Sequence, residues 1–487
     1  MIKNILKSKI IFFTVFLALI FAAIFNLYKP LPDGINYRGE MHNISETDIA
    51  FLYDLTYRGD NGEIKSEQKI FDAVFSIIDN AQKYILIDMF LFNSYMGQAN
   101  GDFRALSKEL TSKLIQKKRE ISDIKIDFIT DPINIVYGGA NSAEIDSLKN
   151  NGINIVITNL SFLRDSNPIY SSIWRVFFRW FGNSTGNGFL THPFAKDKNA
   201  VTIRTYLQLL NFKANHRKVI ISDKKNEMIS LVASANPHDA SSRHSNVAII
   251  LKGNAWMDIY KSELAVALAS GYSLQSPPPG FYESHRNIAE LKTQLLTEKE
   301  IKKEAINMIN LAGLNDSVKI AMFYLADRDI VKSLIGAAER DAKVEIILDQ
   351  NKDAFGYKKI GIPNKQAALE LIKKTANKIK IRWYETNGEQ FHSKMLFVEK
   401  NSGYSMVLLG SANFTRRNIE NFNLESDIFV MASSDSLFMR EIKKYFEIIW
   451  NNENGVQYTA NYEKYKDELW WKVLIYRIQE SLGVSSF

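Results

Sequence analysis

Two short stretches decide the fold of this chain: His216-Arg217-Lys218-Val219-Ile220-Ile221-Ser222-Asp223 and His392-Ser393-Lys394-Met395-Leu396-Phe397-Val398-Glu399. Each sets a lysine two residues after a histidine and an acid five residues after that lysine. Residues i and i+2 of a strand point to one face, so each His–Lys pair can share a pocket while the apolar residues that follow anchor the strand. A second element follows each stretch, Ala233-Ser234-Ala235-Asn236 and Gly410-Ser411-Ala412-Asn413. Polar turns at 223–227 and 399–403 lie midway, which is hairpin chemistry. Antiparallel pairing would bring His, Lys, Ser and Asn to one edge of each sheet. Asp223 and Glu399 would then sit at the far end, near the turns, in a structural role.

The residue types point to phosphoryl chemistry. Lys218 and Lys394 supply positive charge, Asn236 and Asn413 amide donors, and Ser234 and Ser411 hydroxyls. Such a set can clamp phosphate oxygens and stabilise charge in the transition state. Two histidines on opposite sides of one phosphorus give a nucleophile and an acid/base. With lysines to neutralise charge, the expectation is no cofactor and no metal, and no HExxH spacing is present.

Outward from the motifs, the chain repeats one order of elements. In the first half, helical stretches near 68–80 and 103–120 alternate with strand-like runs at 84–92, 124–130 and 153–158, then the hairpin and a helix near 256–270. In the second half, helices near 298–310, 330–340 and 365–376 alternate with runs at 318–325, 344–348 and 379–384, then the hairpin and a helix near 437–451. Ser276-Pro277-Pro278-Pro279-Gly280 reads as the linker between them. The expected fold is α/β: two tandem domains with mixed, largely parallel sheets in a pseudo-twofold arrangement. The expected boundaries are 1–32 for an anchor, 45–275 and 283–455 for the two domains, and 456–487 for a helical tail.

Both motifs resemble the paired signature of the phospholipase D superfamily, HxK, four residues, then Asp, followed by Gly-Ser-x-Asn. The resemblance covers nearly all of the chain after residue 32. It implies a phosphohistidine intermediate, with His216 as nucleophile and His392 as acid/base, and transfer of the phosphatidyl group to water or an alcohol. Arg417, seven residues after Gly410, resembles the basic residue of that family, and Glu425 the acid that orients a motif histidine. Three positions depart from the pattern: Glu399 stands for Asp, Ala233 for Gly, and Asn246 stands where the first half would carry a counterpart of Glu425. An amide orients an imidazole but stabilises imidazolium less than a carboxylate does, so the two histidines should be unequal.

The N-terminus places Lys3, Lys7 and Lys9 before an apolar run from residue 10 to 28, followed by Lys29. The run is close to the ~20 residues that cross a bilayer. Bulky residues where a cleavage site would want small ones favour an uncleaved anchor over a signal peptide. The lysine bias places the N-terminus in the cytoplasm and the body outside it.

Composition is ordinary for a globular chain of 487 residues, with 46% hydrophobic and 24% charged residues. The net charge of +7 fits an anionic partner, lipid headgroup or nucleic acid. With no cysteine, disulfides and thiolate metal sites are excluded. Five histidines lie outside the motifs: 42, 192, 238, 244 and 285. His238 and His244 could line the pocket mouth or be ordinary loop residues.

A stretch that the second half lacks, Ile173-Trp174-Arg175-Val176-Phe177-Phe178-Arg179-Trp180-Phe181, falls in an insertion at about 160–200. It could lie in a membrane interface, its two arginines on one helical face meeting headgroup phosphates, or pack on its own domain. The tail Leu469-Trp470-Trp471-Lys472-Val473-Leu474 raises the same choice, and packing is the expectation there.

A phospholipid substrate, hydrolysed or transferred as in cardiolipin synthase-like enzymes, is therefore expected at a bilayer. The single span departs from the two usual in one branch of those synthases. A nuclease of the same superfamily and a non-catalytic phosphate-binding module are the alternatives. Both motifs lie in one chain, so no oligomer is required.

Overall fold

An apolar helix, α1 (Ile2–Tyr28), leads into a body built on two large sheets, whose strands follow, with two separate two-stranded ladders beside them. The computed structural model describes residues 2–59, 61–99, 101–186, 188–225, 227–279 and 290–483. His285, Gly280 of the linker and the expected domain start at 283 lie outside these residues. Within α1, 23 residues, Leu6–Tyr28, are apolar enough to cross a membrane. They extend about 34 Å at 1.5 Å per residue, enough for a hydrocarbon core.

The strands are β1 (His42–Ile44), β2 (Ile49–Tyr53), β3 (Tyr84–Met89), β4 (Lys125–Thr130), β5 (Asn154–Ile157), β6 (Lys218–Lys224), β7 (Glu227–Ala233) and β8 (Val247–Lys252) in the first half. In the second half they are β9 (Leu291–Thr297), β10 (Ser317–Met322), β11 (Lys343–Leu348), β12 (Lys380–Tyr384), β13 (Lys394–Glu399), β14 (Tyr404–Gly410), β15 (Ser426–Ser433) and β16 (Thr459–Asn461). The first sheet runs β2-β8-β7-β6-β3-β4-β5. The second runs β9-β15-β14-β13-β10-β11-β12, with β1 and β16 added at its ends. The shared order and directions bear out two tandem α/β halves.

One part of the fold expectation is corrected. Among the strands of these two sheets, parallel pairing is confined to β3-β4-β5 and β10-β11-β12, and the remaining strand pairs are antiparallel. Strand–helix crossovers generate the parallel blocks. The hairpins β6–β7 and β13–β14, each followed by a returning strand, add the antiparallel majority.

Side-chain alternation explains how the halves join. On β3, Tyr84 and Leu86 face a core shared by both sheets, while Ile85 and Ile87 face the helices α2 (Ile70–Asn80) and α3 (Leu106–Glu120). On β13, Met395 and Phe397 join the same shared core, while Leu396 and Val398 face away into the second half's own core. The period of two thus gives each sheet one face toward its partner. A common core fixes the two hairpins relative to each other, which a site divided between them requires.

Candidate active site

The two histidines enter the site through exchanged backbone pairing. His216 N–H donates to the Leu424 carbonyl at 2.9 Å, and His392 N–H to the Ser245 carbonyl at 2.8 Å. Each histidine therefore lies alongside the residue that follows in the opposite half, Glu425 or Asn246. His216 Nδ1 is 2.9 Å from Glu425 Oε1. His392 Nδ1 is 3.1 Å from Asn246 Oδ1. The residue before each histidine is anchored as well: Asp131 accepts from Asn215 N–H at 2.6 Å, and Asp349 from Phe391 N–H at 2.8 Å.

These bonds fix the tautomers. The Asn246 amide nitrogen donates to the His244 carbonyl at 3.0 Å, which leaves Oδ1 as an acceptor for His392 Nδ1–H. Glu425 accepts from Nδ1–H of His216 in the same way. Nε2 is then the ring atom left for chemistry on each side, and the two rings lie at 70° to each other with centroids 6.5 Å apart.

Lys218 and Lys394 are fully buried, and each donates to the carbonyl of the histidine two residues earlier. Their ammonium groups lie 5.0 Å from the ring centre of Phe90 and 5.3 Å from that of Phe323. The same two rings pack on His216 and His392 at 4.8 and 5.0 Å. Phe90 and Phe323 were not singled out from the sequence. The signal was there as a repeated Met-Phe pair, Met89-Phe90 and Met322-Phe323, at the ends of β3 and β10.

Asn236 and Asn413 line the cavity between the histidines, together with Arg417 and His244. Asn413 Oδ1 and Arg417 Nε are buried without a hydrogen-bond partner among the described residues. The serines are placed differently from the expectation. Ser234 Oγ donates to Asn246 at 3.1 Å, and Ser411 Oγ donates to Glu425. Both stand behind the groups that orient the histidines and do not line the cavity, so they position and do not clamp. Asn418 also donates to Glu425.

Asp223 and Glu399 lie away from the histidines. The Asp223 carboxylate accepts from the amides of Gln82, Lys83 and Tyr84 at 2.8–3.2 Å. Glu399 takes Lys443 at 2.8 Å, and its longer arm suits that reach. Asp223→Ala is expected to lower stability by about 2–3 kcal/mol, because buried amides lose their acceptor, with kcat close to that of the unchanged protein. Thermal unfolding and turnover of the detergent-solubilised chain check both halves of this expectation.

Ala233 has a local reason too. A Cβ on Gly410 would fall 2.3 Å from the Ser426 carbonyl oxygen and 2.5 Å from Asp427 Oδ1. Gly410 pairs with Asp427, whereas Ala233 pairs with the smaller Ala248.

The electrostatics follow from burial. Burial, with Lys218 and Lys394 adding to it, pushes His216 well below the ordinary imidazole range. Burial does the same to His392, again with Lys394 contributing. It lowers Lys218 to about 7 and pushes Glu425 well above the carboxylate range. A neutral His216 is present above its depressed pKa, so the acid limb of kcat/KM should lie below pH 6.5. Positive charge on Lys218 is lost as pH rises through about 7, so kcat/KM should fall there. A bound phosphate favours charged lysine, so the basic limb of kcat should lie higher. Basic limbs of both profiles above pH 9 would contradict this ordering.

The remaining histidines among the described residues are settled by their contacts. His244 belongs to the cavity wall, 5.7 Å from the His392 ring. His238 is bonded to Ser241 Oγ and the Tyr95 carbonyl, both at 2.7 Å. His42 pairs with Asp258 at 2.6 Å, and His192 packs on Tyr95. Among the described residues, no group of three or more His, Cys, Asp or Glu side chains is arranged to hold a metal ion.

The cavity measures about 360 Å³ and is walled chiefly by apolar groups such as Leu91, Ile133, Phe194, Phe212 and Phe355. A second space of about 370 Å³ shares Phe90, Ile133, Phe194 and Phe355 with it and extends to Tyr95 and Tyr357. On another side the wall reaches the insertion: Lys213 pairs with Asp165 at 2.6 Å, and Asp165 is held by Arg175 through two bonds of 2.8 Å. Arg175 is therefore buried, which corrects the expectation that it meets headgroups. Its neighbours Trp180 and Phe181 are 71% and 68% exposed.

Residues 305–450 match the family described as "Cardiolipin synthase, PLD-like domain". No curated protein matches the sequence. Among solved structures, the phosphatidylserine synthase of Haemophilus influenzae Rd KW20 is similar over 94% of this chain and 99% of its own, with a TM-score of 0.54 and 11% identity. The polyphosphate kinase of Porphyromonas gingivalis is similar over 89% of this chain and 53% of its own, at a TM-score of 0.45 and 14% identity. Nuc, a phospholipase D family member from Salmonella typhimurium, covers 37% of this chain and 100% of its own, at a TM-score of 0.27 and 18% identity. At 11% identity the first likeness is one of fold, and it spans both halves. The family match thus lies in the second half, and the likeness of fold extends across both.

Proposed function

We propose that this chain is a membrane-anchored phosphodiesterase or phosphatidyltransferase that acts on phospholipids through a phosphohistidine on His216. The observation that carries the reading is the exchanged pair of imidazoles, 6.5 Å apart, each oriented by the other half and facing one cavity. Nε2 of His216 attacks phosphorus, and the P–O bond to the leaving group breaks. The leaving oxygen takes the proton from Nε2–H of His392 in its imidazolium form, which the negative charge of a bound phosphodiester favours. Water or an alcohol then gives its proton to His392 and attacks the phosphorus, which releases His216. Positive charge forming on His216 favours ionisation of the buried Glu425, which then stabilises that charge better than Asn246 does on His392 and favours His216 as the covalent residue. Lys218, Lys394, Asn236 and Asn413 stabilise the equatorial oxygens.

Three features favour lipid over nucleic acid. The cavity wall is aromatic and aliphatic, α1 can span a membrane, and exposed Trp180 and Phe181 extend from the segment that ties the wall to α1. The lysine distribution around α1 favours a body outside the cytoplasm, and protease added to spheroplasts should then digest it. The functional test is to incubate the purified chain with phosphatidylglycerol, phosphatidylcholine and single-stranded DNA, with and without EDTA, and to identify products by mass. Headgroup release or exchange that persists in EDTA is expected. Cleavage of DNA with the lipids untouched would replace the lipid reading by the nuclease one, and EDTA-sensitive turnover restored by a divalent ion would remove the metal-free mechanism.

A further inference from the structure

The C-terminal helix α4 (Trp470–Leu482) is held on one side only. On that side Tyr476 donates to the Ala326 carbonyl at 3.0 Å, and Glu480 accepts from Arg416 N–H at 3.2 Å. The opposite side carries Trp470, Leu474, Ile478 and Leu482, which are 74%, 52%, 47% and 42% exposed. A spacing of four residues sets them in one stripe along the helix. Tail packing, the expectation from sequence, thus accounts for half of this helix.

The end of the helix identifies what meets the stripe. A Cβ on Gly483 would lie 1.9 Å from the Ser166 carbonyl oxygen, so the helix end is pressed against that residue. One residue earlier, Asp165 N–H donates to the Asn26 carbonyl of α1 at 3.0 Å. Lys29 donates to the Ser161 carbonyl at 2.7 Å, and Arg164 to the Lys29 carbonyl at 2.9 Å. These bonds clamp the body to the last turn of α1, the level at which a spanning helix leaves the hydrocarbon. Ile169, just beyond the same clamp, is 61% exposed.

We propose that α4 lies in the plane of the membrane interface beside α1, with the stripe from Trp470 to Leu482 sunk into the boundary between headgroups and acyl chains. Its length of about 20 Å then extends the contact of the body well beyond the single span. The seat also bears on the catalytic cavity. The Gly483 carbonyl accepts from Arg417 at 3.1 Å, and Arg417 lines the cavity wall. The inference does not depend on which phosphodiester is the substrate.

The chain has no cysteine, so single cysteines report cleanly. Leu474→Cys, Ile478→Cys and, as an aqueous control, Lys332→Cys are made in the full chain, nitroxide-labelled and reconstituted in phosphatidylglycerol–phosphatidylcholine vesicles. At 474 and 478 oxygen should relax the label more than a water-soluble nickel chelate does, with the order reversed at 332. Chelate access at 474 and 478 equal to that at 332 would overturn the proposal. So would exclusion of both reagents with spin–spin broadening between labels, which would mean that a second copy covers the stripe.

Discussion

His216→Ala and His392→Ala each reduce turnover by about 10³-fold or more while the protein stays folded. A positioned acid/base contributes about 10²–10⁴ in rate, and loss of a nucleophile costs at least as much. The two variants should differ in kind. With a substrate whose leaving group needs no proton, His392→Ala retains formation of the covalent intermediate, whereas His216→Ala does not. Folding is expected to survive because each ring faces the cavity and carries none of the hairpin's backbone pairing. Steady-state turnover and thermal unfolding, measured on the same preparations, check this. Residual rates within tenfold of the unchanged protein for either variant would remove the two-histidine mechanism.

Arg217→Met is expected to destabilise the fold by about 3–5 kcal/mol, the cost of leaving a buried charge without its partner. Arg217 is fully buried next to His216. It donates to Ser262 at 2.8 Å, to Glu263 at 3.2 Å and to Glu298 at 2.7 Å. Glu298 belongs to the second half, sits at a φ of +45°, and accepts from the Glu425 amide at 3.1 Å. One guanidinium therefore ties the first hairpin to the residue that orients the first histidine. A non-glycine residue in this backbone region persists only when its surroundings hold it. Denaturant unfolding measures the loss. The double variant Arg217→Met/Glu298→Gln should recover part of it, since one of the two carboxylates that lose the guanidinium is then neutral. A loss below 1 kcal/mol for Arg217→Met would show that the network is not needed to join the halves.

The hairpins were legible because His-x-Lys and the Ser-x-Asn element bracket a polar turn at matching distances, and local spacing fixes local pairing. The exchange between halves was only half legible. Glu425 and Asn246 could be named as orienting groups, but which histidine each serves depends on a contact across 209 residues for His216 and 146 for His392. Ser234 and Ser411 were misplaced because a hydroxyl beside a motif looks the same in sequence whether it clamps a ligand or supports a neighbour. The parallel content of the sheets was overstated because alternating strands and helices signal crossovers, while the strands that return after each hairpin (β8 and β15) and those beyond them (β2 and β9) carry no tight-turn signal that marks them as antiparallel. Arg175 read as a surface residue because its partner Asp165 lies in an irregular segment, where no helical spacing marks the pair. Phe90 and Phe323 went unseen among many aromatics, although their repeated position after a methionine was available.

The most direct measurement is mass analysis of the protein after rapid alkaline quench during turnover of a phospholipid, conditions under which a phosphohistidine survives. A substrate-derived phosphoryl adduct is expected on the peptide containing His216, present in the His392→Ala variant with an activated substrate and absent in His216→Ala. Continued turnover with no adduct on either histidine, or an adduct confined to another residue, would contradict catalysis through a covalent histidine.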